Sequence, residues 1–392
     1  MIRADCVIIG GGLAGTSLAM ALTHYSMRSV LVDAQGIGCG ASGNSIALAL
    51  PDTGRSERIP KRDEEGFLGL LQAVDHHEAA GRKLRVLKGA VIQFPVTERL
   101  EERMKAEGVD AELLSRLSGS VCKASGLVLE GIAISPPELC RAHVAGARAE
   151  VVIGSVRRVE WVGGLWQVRG HRGEILGEAP YLCIANAADA SMLPQTAWLK
   201  LERVRGQIVE IPEGCLGLPR IPICFDGYVI PLPRGGHLIG ADYDHISRDT
   251  RIHPGINRSL IRRMQRWLAT PSLSIDPLRA RVAFRASTHD RQPYVGPLPD
   301  YDQFRTMAGA ALGARRPVAA CQELLANLPY LPRCYVSVGH GSRGLVSAHY
   351  AAHLIARLMA ADSRCSESTT LDESLHPRRL LSRLLRDLRG AK

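Results

Sequence analysis

Cys6-Val7-Ile8-Ile9, a short β-branched run, leads at once into Gly10-Gly11-Gly12-Leu13-Ala14-Gly15. The small and apolar stretch Thr16–Leu22 follows, and then a second run, Ser29-Val30-Leu31-Val32, ends in Asp33. No other part of the chain restricts the fold so tightly. Strand, glycine turn, helix, strand and acid within about 30 residues are the parts of a βαβ dinucleotide-binding unit. Gly10, Gly12 and Gly15, with Leu13 and Ala14 between them, let backbone N–H groups approach a pyrophosphate, and the helix behind adds positive potential. Asp33, 18 residues beyond Gly15, is placed to accept hydrogen bonds from a ribose and would repel the 2′-phosphate of NADP. A plainer reading stays open, in which the glycines make a tight turn and Asp33 caps the next loop.

Two further glycine-rich loops bear on which dinucleotide fits. Gly38-Cys39-Gly40-Ala41-Ser42-Gly43-Asn44 follows the second strand, and Ala41, Ser42, Gly43 and Asn44 suit a ligand that extends past the pyrophosphate. Near the other end, the buried run Cys334–Val338 passes through Gly339-His340-Gly341-Ser342-Arg343-Gly344-Leu345 into a helix. Backbone donors of Gly341, Ser342, Arg343, Gly344 and Leu345 would stabilise negative charge on a reduced flavin. Singly, these loops are a surface turn and a plain helix start. Together they favour FAD.

Because the two strand–glycine–helix units lie at opposite ends of the chain, the nucleotide domain is expected to be discontinuous. The fold class predicted is α/β: a Rossmann-like FAD-binding domain (1–50, 136–200 and 331–375) with a second, mixed-sheet α+β substrate domain (51–135 and 201–330). Both substrate-domain blocks are expected to be β-rich. Pro136–Ala147 and residues 255–269 read as helices, and Tyr181–Ala185 as a strand buried on both faces. A basic C-terminal tail (376–392) completes the chain.

Composition narrows the function classes. Lys and Arg exceed Asp and Glu, 49 against 39, which favours anionic partners such as nucleic acid. None of the 10 cysteines forms a Cys-x-x-Cys pair, so no zinc ribbon is expected, and the 13 histidines suggest no metal site. No apolar run approaches the ~20 residues of a membrane span, and a cytoplasmic location is expected. In the tail, Arg378, Arg379, Arg383, Arg386, Arg389 and Lys392 face a single acid, Asp387, while Leu380, Leu381, Leu384, Leu385 and Leu388 recur at helical spacing. That helix offers its arginines to nucleic-acid phosphates, is merely solvated, or lies on a membrane surface. Arg258, Arg262, Arg263 and Arg266 form a second basic cluster.

These glycine loops resemble those of the D-amino-acid-oxidase-type flavoproteins. So do Val204-Arg205-Gly206-Gln207, Gly227-Tyr228-Val229-Ile230-Pro231, the Arg-rich run Arg281–Asp290 and Pro293-Tyr294-Val295-Gly296. Within that family the chain is similar to the flavin-dependent half of bacterial bifunctional tRNA-modifying enzymes, with 51–135 matching loosely. The resemblance implies FAD as cofactor, molecular oxygen as electron acceptor and tRNA as partner. It implies oxidation of 5-carboxymethylaminomethyl-uridine at the wobble position to 5-aminomethyl-uridine, releasing glyoxylate. Such relatives carry a methyltransferase ahead of the oxidase. Here the first strand opens almost at residue 1, so a standalone oxidase is expected, its product methylated by a separate methyltransferase or not at all.

A substrate carboxylate wants a bidentate, permanently charged donor, which is arginine. The resemblance places Arg285 in that role and Tyr228 in the pocket beside it. Alternatively Arg285 is a structural arginine paired with Asp290, and Tyr228 belongs to the core. Arg343 touches flavin or substrate, or anchors its own helix. His289 and His340 read as structural sooner than as acid–base groups. Two departures from the relatives stand out: His340 in place of an apolar residue, and Ala185-Asn186-Ala187 in place of a strand end closed by glycine. Two other functions fit the residues: a small-molecule amine oxidase acting on glycine, sarcosine or a D-amino acid, and a tRNA-binding flavoprotein without turnover.

Overall fold

The computed structural model describes residues 4–51, 59–108, 111–118, 121–271, 278–311, 323–364 and 372–390. The chain divides into two compact units, 1–39 with 140–202 and 286–392, and 40–139 with 203–285.

The first unit is built on a six-stranded sheet in the order Tyr294–Pro299, Tyr330–Val338, Tyr181–Ile184, Cys6–Ile9, Ser29–Asp33, Glu150–Ile153. All neighbours are parallel except the first pair. Alternation along Cys6–Ile9 explains how both faces are covered. Cys6 and Ile8 point to one side, where Leu18, Leu22, Ala351 and Ile355 of the helices Leu13–Leu22 and Gly344–Arg364 cover them. Val7 and Ile9 point to the other, against Val159, Trp166 and Val168 of a three-stranded antiparallel sheet, Arg158–Val162, Leu165–Arg169 and Ile175–Ala179. A parallel strand covered on both faces needs the unbroken apolar run that the sequence shows.

The second unit holds an eight-stranded mixed sheet, running from Arg279–Ser287 at one edge through Glu202–Ile211, His237–Gly240, Gly227–Pro231, Ile223–Phe225, Val86–Gln93 and Leu127–Ile134 to Ala47–Ala49. Ile223–Phe225 and Val86–Gln93 pair in parallel, while the hairpins around them are antiparallel. Leu260, Ile261 and Met264 of the helix Pro254–Trp267 close over Val209, Val229 and Ile239.

The structure departs from the sequence-based expectation in three places. Block 51–135 is more helical than β-rich: Lys61–Ala79, Glu98–Glu107 and Ala111–Ser118 are helices, and only Val86–Gln93 and Leu127–Ile134 are strands. Residues 286–311 belong to the first unit, because Tyr294–Pro299 adds to its sheet beside Tyr330–Val338, whereas residues 40–50 belong to the second. The tail does not stand apart. Its helix Arg378–Gly390 sinks Leu381 and Leu385 against Phe304 and Leu328. No helix among the described residues is long and apolar enough to cross a membrane.

Candidate functional site

The first glycine turn is compressed by its own backbone. Gly10 has φ +118°, and a Cβ there would lie 2.5 Å from the Ala185 carbonyl oxygen. A Cβ on Gly15 would overlap the Gly10 carbonyl oxygen. Helix Leu13–Leu22 therefore starts hard against the ends of two parallel strands, and Gly12 at its head supplies no side-chain cap. Asp33 holds this turn. One carboxylate oxygen accepts the Gly11 N–H (2.7 Å), and the other accepts those of Gln35 and Gly36 (2.7 and 2.8 Å). Its loop-capping role is thus observed, and the oxygen facing Gly11 keeps a lone pair for a ribose. Gly38 N–H closes onto the Gly11 carbonyl at 2.8 Å. Beyond Gly10, the side-chain oxygen of Asn186 is buried with no hydrogen-bond partner among the described residues. The sequence marks Asn186 only as part of a departure from the relatives at this strand end, not as a group facing a ligand.

Asn186 precedes Ala187, a non-glycine residue at φ +55°. The chain thus keeps the left-handed turn at this strand end without the glycine that makes it easy.

The second glycine turn is organised by His340. Its Nε2 lies 3.1 Å from Ser337 Oγ and its Nδ1 2.9 Å from Ser347 Oγ, and burial pushes its pKa down to about 4. A neutral imidazole between two hydroxyls ties the strand Tyr330–Val338 to the helix Gly344–Arg364, as its structural reading expects. Gly341, Ser342 and Arg343 form a short 3₁₀ turn between them, and Gly344 and Leu345 open the helix. His289 is exposed.

In the second unit, Gly40–Ser42 also forms a 3₁₀ turn, so Ala41 and Ser42 lie within it and Gly43 and Asn44 follow. This loop is clipped from the edge strand. Arg281 donates to Asn44 Oδ1 at 2.6 Å and to the Gly40 carbonyl. Gly43 passes so close to the Arg281 guanidinium that a Cβ would strike it. The function of Arg281 has no signal in the sequence beyond its place in an Arg-rich strand.

Arg285 lies on the same face of that strand, two alternations further on. Its guanidinium stacks on the Tyr243 ring, 4.4 Å from the centroid, and touches the Asp242 carbonyl at 3.5 Å. No carboxylate of its own unit forms an ion pair with it among the described residues. Gly206 makes room, since a Cβ there would overlap Nη1. Tyr228 lies over its cross-strand partner Gly240. Burial lifts the Tyr228 hydroxyl to about 12 against the opposing charge of Arg285, so at neutral pH it remains a phenol able to donate. Arg205, by contrast, is consumed by the fold. It is 1% exposed and bonded to Asp242 (3.2 Å), Gln207 (3.0 Å) and the carbonyls of Asp249 and Arg251 (2.9 and 2.7 Å).

Asp290 is engaged within its own unit. It is clamped by the C-terminal helix, accepting from Arg379 Nε (3.1 Å) and Arg383 Nη2 (2.7 Å), while Arg379 stacks over Tyr294 at 4.1 Å. Arg378 pairs with Glu373. Two arginines expected to face outward, Arg379 and Arg383, are therefore tied to Asp290, while Arg378 sits in a surface pair. The side chains of Arg386, Arg389 and Leu388 and all of Lys392 lie outside the described residues. Burial alone would raise the Asp290 pKa, but Arg379 and the Gln292 N–H hold it well below the usual carboxylate range. A lowered folded pKa stabilises above the ordinary aspartate value of about 3.9, and that contribution is lost as pH falls below it. Asp290→Asn is expected to cost about 3 kcal/mol in urea unfolding at pH 7, because it strands the mostly buried Arg379. The difference from wild type should shrink in acid; an undiminished difference would refute the clamp.

The described residues hold no cluster of three or more His, Cys, Asp or Glu able to bind a metal. The arrangement that remains is a dinucleotide turn at the carboxyl ends of parallel strands, the crevice that ligands occupy in open α/β sheets. A family model for FAD dependent oxidoreductases matches residues 5–358. The chain belongs to this family. As an FAD-dependent oxidoreductase it is 32% identical, over 99% of its length, to the tRNA 5-methylaminomethyl-2-thiouridine biosynthesis bifunctional protein MnmC of Burkholderia mallei (strain SAVP1). The same identity and coverage relate it to the MnmC protein of Burkholderia pseudomallei (strain K96243). The chain spans 61% of the length of these relatives. Among solved structures it is similar in fold to glycine oxidase from Geobacillus kaustophilus, with a TM-score of 0.73 and 17% identity over 96% of this chain and 98% of that one. The compressed glycine turn and the orphaned acceptor of Asn186 fit the dinucleotide part of FAD, which the flavoenzyme needs.

Proposed function

We propose that the chain oxidises the secondary amine of 5-carboxymethylaminomethyl-uridine at the tRNA wobble position, giving 5-aminomethyl-uridine. The observation that carries this reading is Arg285, whose guanidinium is stacked on Tyr243 and forms no ion pair with a carboxylate of its own unit among the described residues. An arginine so placed is ready for a carboxylate from outside. Similarity to MnmC along 99% of the chain, and a net charge of +10, support tRNA as the carrier of that carboxylate.

In this reading Gly10, Gly12, Leu13, Ala14, Gly15 and Asp33 hold the dinucleotide part of FAD. The loops Ala41–Asn44 and Gly341–Leu345 hold the remainder. FAD held there would supply a two-electron acceptor for the α-carbon hydride of the N-substituted glycine, with molecular oxygen as the terminal acceptor, reduced to hydrogen peroxide. The residues of this chain do the rest by placement. Arg285 fixes the carboxylate, and Tyr228, kept protonated, donates a hydrogen bond and limits rotation about the C–N bond. Loss of the amine proton leaves an imine, water adds to its carbon, and the C–N bond breaks to glyoxylate and the aminomethyl base. No side-chain base is needed.

Mass spectrometry of wobble nucleosides after incubating purified holoprotein with under-modified tRNA tests the proposal. Conversion of the carboxymethylaminomethyl to the aminomethyl nucleoside is expected. Unchanged nucleosides, with peroxide formed from free glycine or sarcosine, would instead support a small-molecule amine oxidase.

A further inference from the structure

Ile246 is 89% exposed, the most of any large apolar side chain described, and Tyr243 (55%) and Ile252 (47%) flank it in one loop of the second unit. The loop is not slack. Arg205 lies buried beneath it, bonding the carbonyls of Asp249 and Arg251, and its own backbone pairs with Asp244 at 2.8 and 3.0 Å. Asp244 accepts the N–H groups of Ile246 and Ser247, both at 2.9 Å. Arg248 Nη1 reaches the carbonyls of Arg203, His245 and Ile246 at 3.1–3.2 Å. A buried guanidinium and a carboxylate thus hold an apolar crest rigidly in water. An exposed apolar patch maintained in this way marks a recognition surface.

The surroundings say what the crest recognises. Between residues 245 and 266 there are six arginines and one acid, Asp249. Arg258 and Arg262, one turn apart on the following helix, are exposed. An aromatic ring among arginines suits unpaired nucleotides, whose bases stack while phosphates pair with the cations. Tyr243 also lies against Arg285. A carboxylate held by Arg285 is joined to the uracil ring by a short methylene–amine–methylene tether, so the base must lie close to Tyr243.

We propose that Tyr243 and Ile246 form the platform on which unpaired anticodon-loop bases stack, the wobble base on Tyr243 and its neighbour on Ile246. The inference rests on the tRNA reading above and adds to it a surface for the RNA. The test uses holoprotein and an anticodon stem–loop RNA carrying 5-carboxymethylaminomethyl-uridine, with binding followed by fluorescence anisotropy and flavin absorbance as the check on folding. Tyr243→Ala is expected to weaken binding about 10–100-fold, and Tyr243→Phe to stay near wild type, since a phenyl face stacks equally well. Ile246→Asp, which changes a side chain 89% exposed and leaves the backbone bonds of the position in place, is expected to weaken it about 10-fold. Wild-type affinity in both Tyr243→Ala and Ile246→Asp would overturn the platform while leaving the tRNA reading intact. So would an equal loss of affinity for a blunt duplex RNA, which presents no unstacked base. A wild-type protein that binds neither RNA would overturn the tRNA reading and the platform together.

Discussion

Alanine in place of Gly15 is expected to give protein that purifies without flavin colour and melts well below wild type. The single added carbon would overlap the Gly10 carbonyl oxygen and lie 3.1 Å from Ile8 Cγ2. Neither neighbour can yield cheaply. Gly10 is backbone at φ +118°, itself pressed against Ala185, and Ile8 is fully buried in the central sheet. The helix must therefore back away from the strand ends, which takes its N–H groups away from the pyrophosphate position. The cost is about 3 kcal/mol, the upper end of overpacking penalties, with cofactor affinity lost in addition. Gly309→Ala is the control, because that helical glycine has open space around it. It should keep full colour and gain about 0.5–1 kcal/mol from helix propensity. Flavin absorbance per polypeptide and a thermal melt of both variants check the contrast. A yellow Gly15→Ala protein with wild-type melting would refute the close approach.

Arg285→Leu is expected to keep FAD and fold while losing the carboxylated substrate. Removing the charged partner of a buried carboxylate costs about 2–5 kcal/mol, which corresponds to roughly 30-fold to 5,000-fold in kcat/KM, expressed mainly in KM. Arg285→Lys should recover only part of the loss, since an ammonium cannot form the paired bonds of a guanidinium. Steady-state kinetics on the modified tRNA, with flavin content measured alongside, decide the matter. Unchanged kinetics in Arg285→Leu would remove the residue from the site, and coincident loss of flavin would make its role structural. Arg281→Leu is a useful comparison from the same strand face: it should loosen the Gly40–Asn44 loop, to which Arg281 is bonded.

The nucleotide-binding half was readable in the chain because its constraints are local. A glycine needed at a particular φ, an apolar run buried on both faces, and an acid at the end of the next strand each leave a mark within a few residues, and the fold has them where the sequence indicates. Asp33 shows the limit of that reading. The ribose-facing and loop-capping roles were set against each other, yet its two oxygens serve the turn on one side and the loop on the other, and the geometry admits both. Block 51–135 was misjudged for a related reason. Helices such as Glu98–Glu107 are short and highly charged, so their burial depends on distant strands more than on any strong periodicity of their own.

The roles of the arginines were settled only by the tertiary structure. Arg205, Arg281, Arg285 and Arg379 carry the same charge and the same five donors. Nothing in the order of residues distinguishes the one buried beneath a loop, the one that clips a turn, the one stacked on an exposed tyrosine and the one that clamps Asp290. By itself, the sequence determined that the chain folds around a dinucleotide, because steric exclusion at a glycine and the pairing of adjacent strands act over short stretches of chain. Which guanidinium pairs with an acid and which stacks on a ring depends on groups dozens of residues away, since electrostatic pairing acts across space and is decided only once the strands have taken their register.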